Sequence, residues 1–173
     1  MNIENVEYLD HITDAHVRCI GKTLSEAFEL SAKGLLNIMF DITKIEQKQK
    51  YAFHITGFDL ENLLYNWLEK TLLMFLIDKT IMSDFNVLIF FDKDSNNYIL
   101  EGVGQGEEFD IEKHGLDVEV KGITYHEMKI IPNTATNKAF AIPTSNISNS
   151  VSDLASSLVD NDDGYTIEYI VDL

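Results

Sequence analysis

One stretch of this chain is too apolar to lie at the surface of a protein. After Asp59, which is a good N-cap for a helix, apolar residues cover more than half of the helix girth. A helix of that character must be buried on more than one side. The residues that give it this character are Leu60, Leu63, Leu64, Trp67, Leu68, Leu72, Phe75 and Leu76. The pattern therefore predicts a central helix.

An earlier helix has a single apolar face. The run Thr23-Leu24-Ser25-Glu26 has the spacing of a capping box, in which Thr23 is the N-cap and Glu26 reaches back to it. Apolar residues then recur at three- and four-residue spacing, with the small residues Ser31 and Ala32 among them. These apolar residues are Leu24, Ala27, Phe28, Leu35, Ile38 and Met39. A stripe of this kind should cover a sheet.

Most of the remaining chain has the pattern of strands. Residues 6–20 form two extended runs around a polar turn at 10–14, and the second run alternates apolar with polar side chains. Further strands are predicted at 42–55, 86–91, 98–106, 117–131 and 165–171. Alternating strands and apolar-faced helices predict an α+β fold, with the two helices on one side of a mostly antiparallel sheet.

The length of the chain suits one domain, spanning residues 1–173, and a hydrophobic content of 45% is ample for a packed core. Between about residues 132 and 163 the composition changes to Asn, Ser and Thr, and both prolines, Pro132 and Pro143, fall there. This change predicts a polar surface insertion, within which residues 153–159 could form a short helix.

The charge balance argues against a free-standing nucleic-acid-binding protein. Lys and Arg total 13 against 29 Asp and Glu, which gives a formal net charge of −16, and Arg18 is the single arginine. A phosphate backbone is bound by neutralising it with Lys and Arg, so direct strong binding of nucleic acid is not expected. An acidic surface instead favours cations or a basic partner protein.

The sequence also predicts where the protein works. Cys19 is the single cysteine and cannot form an internal disulfide, which suits the reducing cytosol. The start of the chain lacks the basic and apolar segments of a secretory signal. The longest apolar segment, residues 68–77, is interrupted by charges and is far shorter than the ~20 residues of a membrane span. We therefore expect a cytoplasmic protein with no role in a membrane.

Oxygen donors gather near both ends of the chain. The run Asp10-His11-Ile12-Thr13-Asp14 holds two carboxylates, an imidazole and a hydroxyl, and Asp172 lies beside the terminal carboxylate of Leu173. Hard cations prefer several oxygen ligands, so these donors suggest a divalent-metal site. The alternative is structural, since Asp and Thr commonly cap backbone amides in turns and an aspartate at a chain end is commonly solvated.

Four further residues carry weaker signals. Lys121 lies among apolar and β-branched residues, where a lysine either lays its stem along apolar surface or serves a binding role. Thr124 and His126 lie in the same run, and a lone histidine in a strand is more often structural than a ligand. Asp41 is predicted to end the first helix, and a carboxylate at a helix C-terminus is electrostatically unfavourable. It is a candidate additional metal residue, with a simple loop role as the alternative.

Signatures of catalysis are hard to find. The glycines at 102–106 are not followed by the Lys-Ser/Thr of a phosphate-binding loop. No Ser or Cys stands in a recognisable catalytic setting, and no Cys/His spacing matches a zinc site.

Several ordered motifs together resemble archease. They are Asp-His-Ile-Thr-Asp at 10–14, Leu-Tyr-Asn-Trp-Leu at 64–68, Thr-Tyr-His-Glu-Met at 124–128 and the closing Val171-Asp172-Leu173. The resemblance runs from about residue 8 to residue 172, outside the insertion. The chain departs from the family at Ile12-Thr13, where Thr-Ala is usual, and at Gly122, which replaces a usual alanine.

The resemblance implies roles for particular residues. Asp14 would be a metal ligand, Asp172 and Leu173 would complete the metal site, and Lys121 would be a functional lysine that meets phosphate or a partner's carboxylate. The weaker candidates are Asp10, His11, Asp41, Thr124 and His126. Because Asp14 and Asp172 come from opposite ends of the chain, this site also predicts that the first and last strands are close in space.

The resemblance also implies the archease fold and function. Archease is a small acidic protein that assists the GTP-dependent tRNA-splicing RNA ligase, promoting guanylylation of the ligase's active-site histidine and its repeated turnover. By resemblance, this chain would be an accessory activator that holds calcium, or magnesium or manganese, and would not itself be an enzyme. Two alternatives stay open: a metal-binding chaperone or interaction module with broader clients, and a metal-dependent hydrolase built on Asp10, His11 and Asp14.

Overall fold

The computed structural model of the protein describes residues 3–9, 14–133 and 164–173. In chain order the elements are β1 (Val6–Leu9), β2 (Asp14–Gly21), α1 (Leu24–Met39), a 3-10 turn (Ile42–Lys44), β3 (Gln49–Gly57), α2 (Leu60–Leu76), β4 (Thr80–Asp92), β5 (Asn97–Glu108), α3 (Ile111–His114), β6 (Gly122–Pro132) and β7 (Tyr165–Asp172). Nearly all of the predicted insertion, including the short helix at 153–159, lies outside the described residues.

The strands form two antiparallel sheets. One sheet has four strands in the order β1-β2-β7-β6, and the other has three in the order β3-β5-β4. The last strand, β7, pairs with β2 on one side and β6 on the other. The predicted α+β class is confirmed, and the two ends of the chain meet in the middle of one sheet.

The two long helices pack against both sheets. Helix α1 contacts β2 and β4, and α2 contacts β6 and β3. The indole of Trp67, which is fully buried on α2, donates a hydrogen bond of 3.0 Å to the main-chain oxygen of Phe28 on α1. Its ring meets Phe53 and Phe85 edge-on, at centroid distances of 4.8 and 5.4 Å. Helix α2 therefore occupies the central position that its composition predicted.

Both predicted helix starts have the expected caps. The Thr23 hydroxyl accepts a 3.1 Å hydrogen bond from the Glu26 amide, and the Asp59 carboxylate accepts one of 2.7 Å from the Asn62 amide. The Glu26 carboxylate accepts from the amide of Lys22, one residue before the expected partner. Since caps satisfy amides that the first helical turn leaves unpaired, these local signals fix where α1 and α2 begin.

Several other boundaries differ from the prediction. The strand expected at 42–55 begins only at Gln49, because Asp41 caps a 3-10 turn through the amide and hydroxyl of Thr43. Strand β4 begins at Thr80 and not near 86, and residues 117–121, which were expected to belong to a strand, precede β6 without being part of it. The short helix α3, capped by Asp110, was not predicted. None of the helices in the described residues has the length and apolar character needed to cross a lipid bilayer.

Candidate functional site

Asp14 and Asp172 face each other across the sheet. They are direct partners in the antiparallel ladder of β2 and β7. Directly opposite residues point to the same face of a sheet, with Cβ atoms about 4.5–5.5 Å apart. Asp172 is exposed and Asp14 is partly exposed. The fold thus places two carboxylates from distant parts of the sequence side by side at one end of the sheet.

Lys121, which directly precedes β6, brings a positive charge to the end of β7. Gly122 on β6 is also a direct partner of Asp172, and the Lys121 amide donates a 2.8 Å hydrogen bond to the Asp172 main-chain oxygen. The Lys121 ammonium donates a 2.7 Å hydrogen bond to the main-chain oxygen of Leu173. Asp14, Lys121, Asp172 and Leu173 therefore lie together, and we refer to them as the sheet-end cluster.

The donor chemistry of this cluster suits a hard cation. Two like charges directly opposite each other destabilise a sheet, and a bound cation would offset that repulsion. In the described part of the chain, no three side chains among His, Cys, Asp and Glu gather in a way that could hold a metal. A cation here would therefore rely on the carboxylates of Asp14 and Asp172, with main-chain oxygen and water completing its shell, as calcium, magnesium or manganese accept. Asp10 and His11 lie outside the described residues.

Asp41 has a structural role in the described chain. Helix α1 ends at Met39, so Asp41 is the N-cap of the following 3-10 turn and not the last residue of the helix. Its carboxylate accepts hydrogen bonds from the Thr43 hydroxyl at 2.6 Å and the Thr43 amide at 3.2 Å, and these bonds lower the pKa of Asp41. The unfavourable position seen in the sequence is thereby explained, because a negative charge is favourable at the start of a helical turn.

His126 lies in a four-residue bulge of β6, and Thr124 is the last paired residue before it. Thr124 pairs with Ile170 and Lys129 with Glu168, so the four residues 125–128 stand against Tyr169 alone. The Thr124 hydroxyl accepts a 3.1 Å hydrogen bond from the His126 amide, and the His126 ring is 3.7 Å from the Glu127 carboxylate. The side chain of His126 is 76% exposed. The bulge begins at Tyr125, three residues along β6 from Gly122, the partner of Asp172.

The single arginine, Arg18, forms ion pairs with residues on both neighbouring strands. Arg18 on β2 donates a 2.7 Å hydrogen bond to Glu168 on β7 and lies 3.4 Å from Glu7 on β1, and Lys129 on β6 is 4.0 Å from Glu168. Opposite charges therefore alternate across all four strands, and the Arg18 hydrogen bond lowers the pKa of Glu168. This ladder was not predicted, and its sequence signal is limited to the charged residues Arg18 and Glu168 among the mostly apolar residues of β2 and β7.

A second unpredicted network surrounds Glu107. This carboxylate is 5% exposed and accepts hydrogen bonds from the Glu46 amide at 2.7 Å and the Lys48 ammonium at 2.7 Å. Lys113 and His114 of α3 also bind it. Burial raises the pKa of Glu107, but these hydrogen bonds outweigh burial and hold the pKa well below its usual range. The network fastens α3 and the 45–48 segment to β5.

Comparison with known proteins agrees with the sequence motifs and the fold. Residues 6–143 match the model of the Archease protein family. A protein archease from Sulfurisphaera tokodaii is 41% identical over 128 residues, which cover 74% of this chain and 89% of that protein. A protein archease from Pyrococcus furiosus is 43% identical over 124 residues, which cover 72% and 86%. The solution structure of Methanobacterium thermoautotrophicum protein 1598 superposes with a TM-score of 0.67 at 26% identity, over 99% of this chain and all of that one.

Proposed function

This chain belongs to the archease family of accessory proteins, and we propose that it binds a divalent cation and activates a GTP-dependent tRNA-splicing RNA ligase in the cytoplasm. It promotes guanylylation of the ligase's active-site histidine, and hence repeated turnover, without catalysing a reaction of its own. The observation that carries this proposal is the pairing of Asp14 with Asp172 beside Lys121 and Leu173. These are the four residues to which the archease resemblance assigns the site.

The chemistry of the ligase explains why a cation is useful. Transfer of a nucleotidyl group from a triphosphate to an imidazole requires that negative charge on the phosphates be neutralised and that the reacting groups be held in line. A divalent cation supplies positive charge for phosphate oxygens. In this chain Asp14, Asp172 and the main-chain oxygen of Leu173 would hold it, and calcium, magnesium or manganese would suit these oxygen donors.

Lys121 positions the end of β7 and adds a positive charge beside the two carboxylates. Its amide and its ammonium bind successive main-chain oxygens, those of Asp172 and Leu173, at 2.8 and 2.7 Å. An exposed ammonium at this point also suits a phosphate oxygen of the nucleotide or a carboxylate of the ligase. We assign Lys121 both tasks.

The charge of the chain favours a protein as the direct partner. A net charge of −16 repels RNA, and the guanidinium of Arg18 is engaged with Glu168 and Glu7. Electrostatic attraction would instead steer the chain towards a basic surface of the ligase. Binding of tRNA is then left to the ligase.

The deciding experiment measures RNA ligation by the ligase with GTP and an amount of this chain well below the amount of ligase. The wild-type chain should allow many turnovers, and Asp14→Asn or Asp172→Asn should lose most of the stimulation. Asp94→Asn, a change in the exposed β4–β5 turn, is the matched control and should stimulate as the wild type does. Folded Asp14→Asn and Asp172→Asn variants that stimulate fully would contradict the metal mechanism.

Two further measurements separate this function from its alternatives. Suppression of aggregation of unrelated proteins by both the wild type and Asp172→Asn would favour a chaperone with broad clients. Release of phosphate or cleavage of RNA by the purified chain alone would favour a hydrolase. The proposed function predicts neither activity.

A further inference from the structure

A stacked pair of tyrosines, the half-buried Tyr65 and the exposed Tyr125, lies near the sheet-end cluster. The rings of Tyr65 on α2 and Tyr125 on β6 are stacked with centroids 4.2 Å apart and planes 8° from parallel. The Asn62 side-chain amide donates a 2.6 Å hydrogen bond to the Tyr125 hydroxyl, and the Asn62 oxygen accepts one of 3.3 Å from the Phe58 amide. Tyr125 is nevertheless 49% exposed and Phe58 69%. We call Phe58, Asn62, Tyr65 and Tyr125 the aromatic platform.

The bulge of β6 is what places Tyr125 on α2. Residues 125–128 leave the ladder together, and Glu127 at φ 58 takes a left-handed conformation that is costly for any residue but glycine. Met128, 8% exposed, returns the strand to the core. Bulges commonly re-aim a side chain next to a functional site. A strained backbone that presents an aromatic ring to solvent points to a binding role for that ring.

Carboxylates line the same face of α2. Glu61, Tyr65 and Glu69 follow each other at four-residue spacing and so share one stripe of the helix. The Tyr65 hydroxyl donates a 3.2 Å hydrogen bond to the Glu69 carboxylate. Lys70 follows Glu69 but is turned about 100° around the helix from it. Asp59 adds a further negative charge at the start of α2, where it caps the helix through Asn62.

We propose that the aromatic platform docks an arginine of the partner protein, with the guanidinium stacked on Tyr125 and ion-paired with Glu69. A guanidinium is planar and stacks on an aromatic ring while its edge binds a carboxylate, whereas an ammonium is a point charge. A nucleobase would also stack on tyrosine, but its phosphates would meet the carboxylates of this stripe. The identity of the partner as the RNA ligase rests on the proposed function, and the platform itself does not.

The platform and the sheet-end cluster would then act on one partner. Two residues of β6, Ile123 and Thr124, separate Gly122, the partner of Asp172, from Tyr125. A basic segment seated on the platform would hold the sheet-end cluster against the same surface. Docking and metal chemistry should therefore change different parameters of ligase stimulation.

The first test measures ligase stimulation over a range of concentrations of the full chain. For Tyr125→Ala and for Glu69→Lys we expect the concentration giving half-maximal stimulation to rise about tenfold, a typical value for a desolvated cation–π contact. Tyr125→Phe keeps the ring and should recover most of the affinity, whereas Asp172→Asn should lower the maximum. Leu88→Ala, an exposed apolar change on β4 of the other sheet, is the control and should behave as the wild type. Unchanged half-maximal concentrations in both platform variants would overturn the proposal.

The second test does not depend on the ligase. The wild-type chain and Tyr125→Ala are titrated with an oligo-arginine peptide, an oligo-lysine peptide of equal length and a single-stranded RNA, and binding is measured by isothermal titration calorimetry. Tighter binding of oligo-arginine that is lost in Tyr125→Ala supports the platform. Equal binding of the two peptides, or a Tyr125-dependent affinity for RNA alone, would overturn it. If the wild type fails to stimulate the ligase, the proposed function is wrong, and the peptide titration still decides the platform.

Discussion

Asp14 and Asp172 are direct partners across the β2–β7 ladder, although they come from opposite ends of the sequence. Like charges placed directly opposite each other in a sheet are destabilising. The ammonium of Lys121 lies nearby, but its hydrogen bond goes to the main-chain oxygen of Leu173. The cation of the proposed function would offset the repulsion between these two carboxylates and would thereby stabilise the folded chain.

Cation binding should raise the thermal stability of the wild type. At a concentration 100 times the dissociation constant, binding to the folded state alone contributes about 2.7 kcal/mol. In a chain of this length that corresponds to a rise in Tm of about 5–10 °C. Differential scanning calorimetry of chelator-treated protein with added calcium, magnesium or manganese measures this rise.

Substitution of a carboxylate in the sheet-end cluster should remove most of the stabilisation by a cation. Without a cation, Asp172→Asn should be as stable as the wild type or more stable, because one of two opposed charges is removed. With a cation, the variant should gain little. Asp94→Asn should keep the full rise, and an equal rise in Asp172→Asn would place the cation elsewhere in the chain.

The parts of the fold that were predicted correctly depend on local signals. The caps Thr23 and Asp59 and the apolar periodicity of α1 and α2 act within a few residues along the chain, and the structure has both helices where these signals place them. The adjacency of β2 and β7 is different, because it was expected from the resemblance and not from any local pattern. The adjacency followed from the expectation that Asp14 and Asp172, which are distant in sequence, share one metal site.

The parts that were missed depend on contacts between distant segments. Nothing near Tyr125 shows that Tyr65 will stack on it, and the bulge of β6 forms around that contact. The Glu107 carboxylate is likewise bound by groups that are distant in sequence, from the Glu46 amide to the His114 ring. Asp41 was wrongly predicted to end α1, and the strand expected from residue 42 begins only at Gln49. Both errors come from a local contact, because the Asp41 carboxylate caps a 3-10 turn through Thr43.

Lys121→Gln should separate function from stability. The hydrogen bond that the Lys121 ammonium makes to Leu173 is exposed, and exposed polar contacts contribute little to stability. We expect a change in Tm of less than about 3 °C. The maximal stimulation of the ligase should fall strongly, because the positive charge beside the carboxylates is lost. A loss of stimulation that merely tracks a large fall in Tm would make Lys121 a structural residue.

Glu107 should make the free energy of unfolding depend on pH in the acidic range. Its pKa in the folded protein lies below the usual value, so its contribution to stability is fully present above the pH range in which an unfolded glutamate titrates. The contribution is lost progressively as the pH falls below that range towards the lower pKa of the folded state. The urea midpoint of the wild type should therefore decrease as the pH falls below about 4.5. Glu107→Gln removes this titration and should flatten the dependence.

The same substitution should cost stability at neutral pH. Removing the charge of Glu107 weakens its hydrogen bonds to Lys48, Lys113 and His114. We expect the free energy of unfolding to fall by about 1–3 kcal/mol. The loss is limited because the two ammonium groups keep access to water. Glu101→Gln changes an exposed carboxylate near His54 and serves as the control. A wild-type acid dependence that survives in Glu107→Gln would assign it to other carboxylates.

Two glycines in strands should respond oppositely to alanine. A Cβ on Gly122 would meet the nearest atom, Oδ2 of Asp172, at 3.6 Å, an ordinary contact, and its φ is not in the left-handed region. Gly122→Ala should therefore be neutral or stabilising by about 0.4–1 kcal/mol, through the reduced freedom of the unfolded chain, and should keep the cation-dependent rise in Tm.

A Cβ on Gly106 would collide with the main-chain oxygen of Ile81, which cannot move independently of β4, so Gly106→Ala should lose at least about 2 kcal/mol. Urea unfolding of both variants, with similar m values, measures the difference. A destabilised Gly122→Ala that also loses the cation response would show that the sheet-end cluster needs the space beside Asp172 for a ligand or a water molecule.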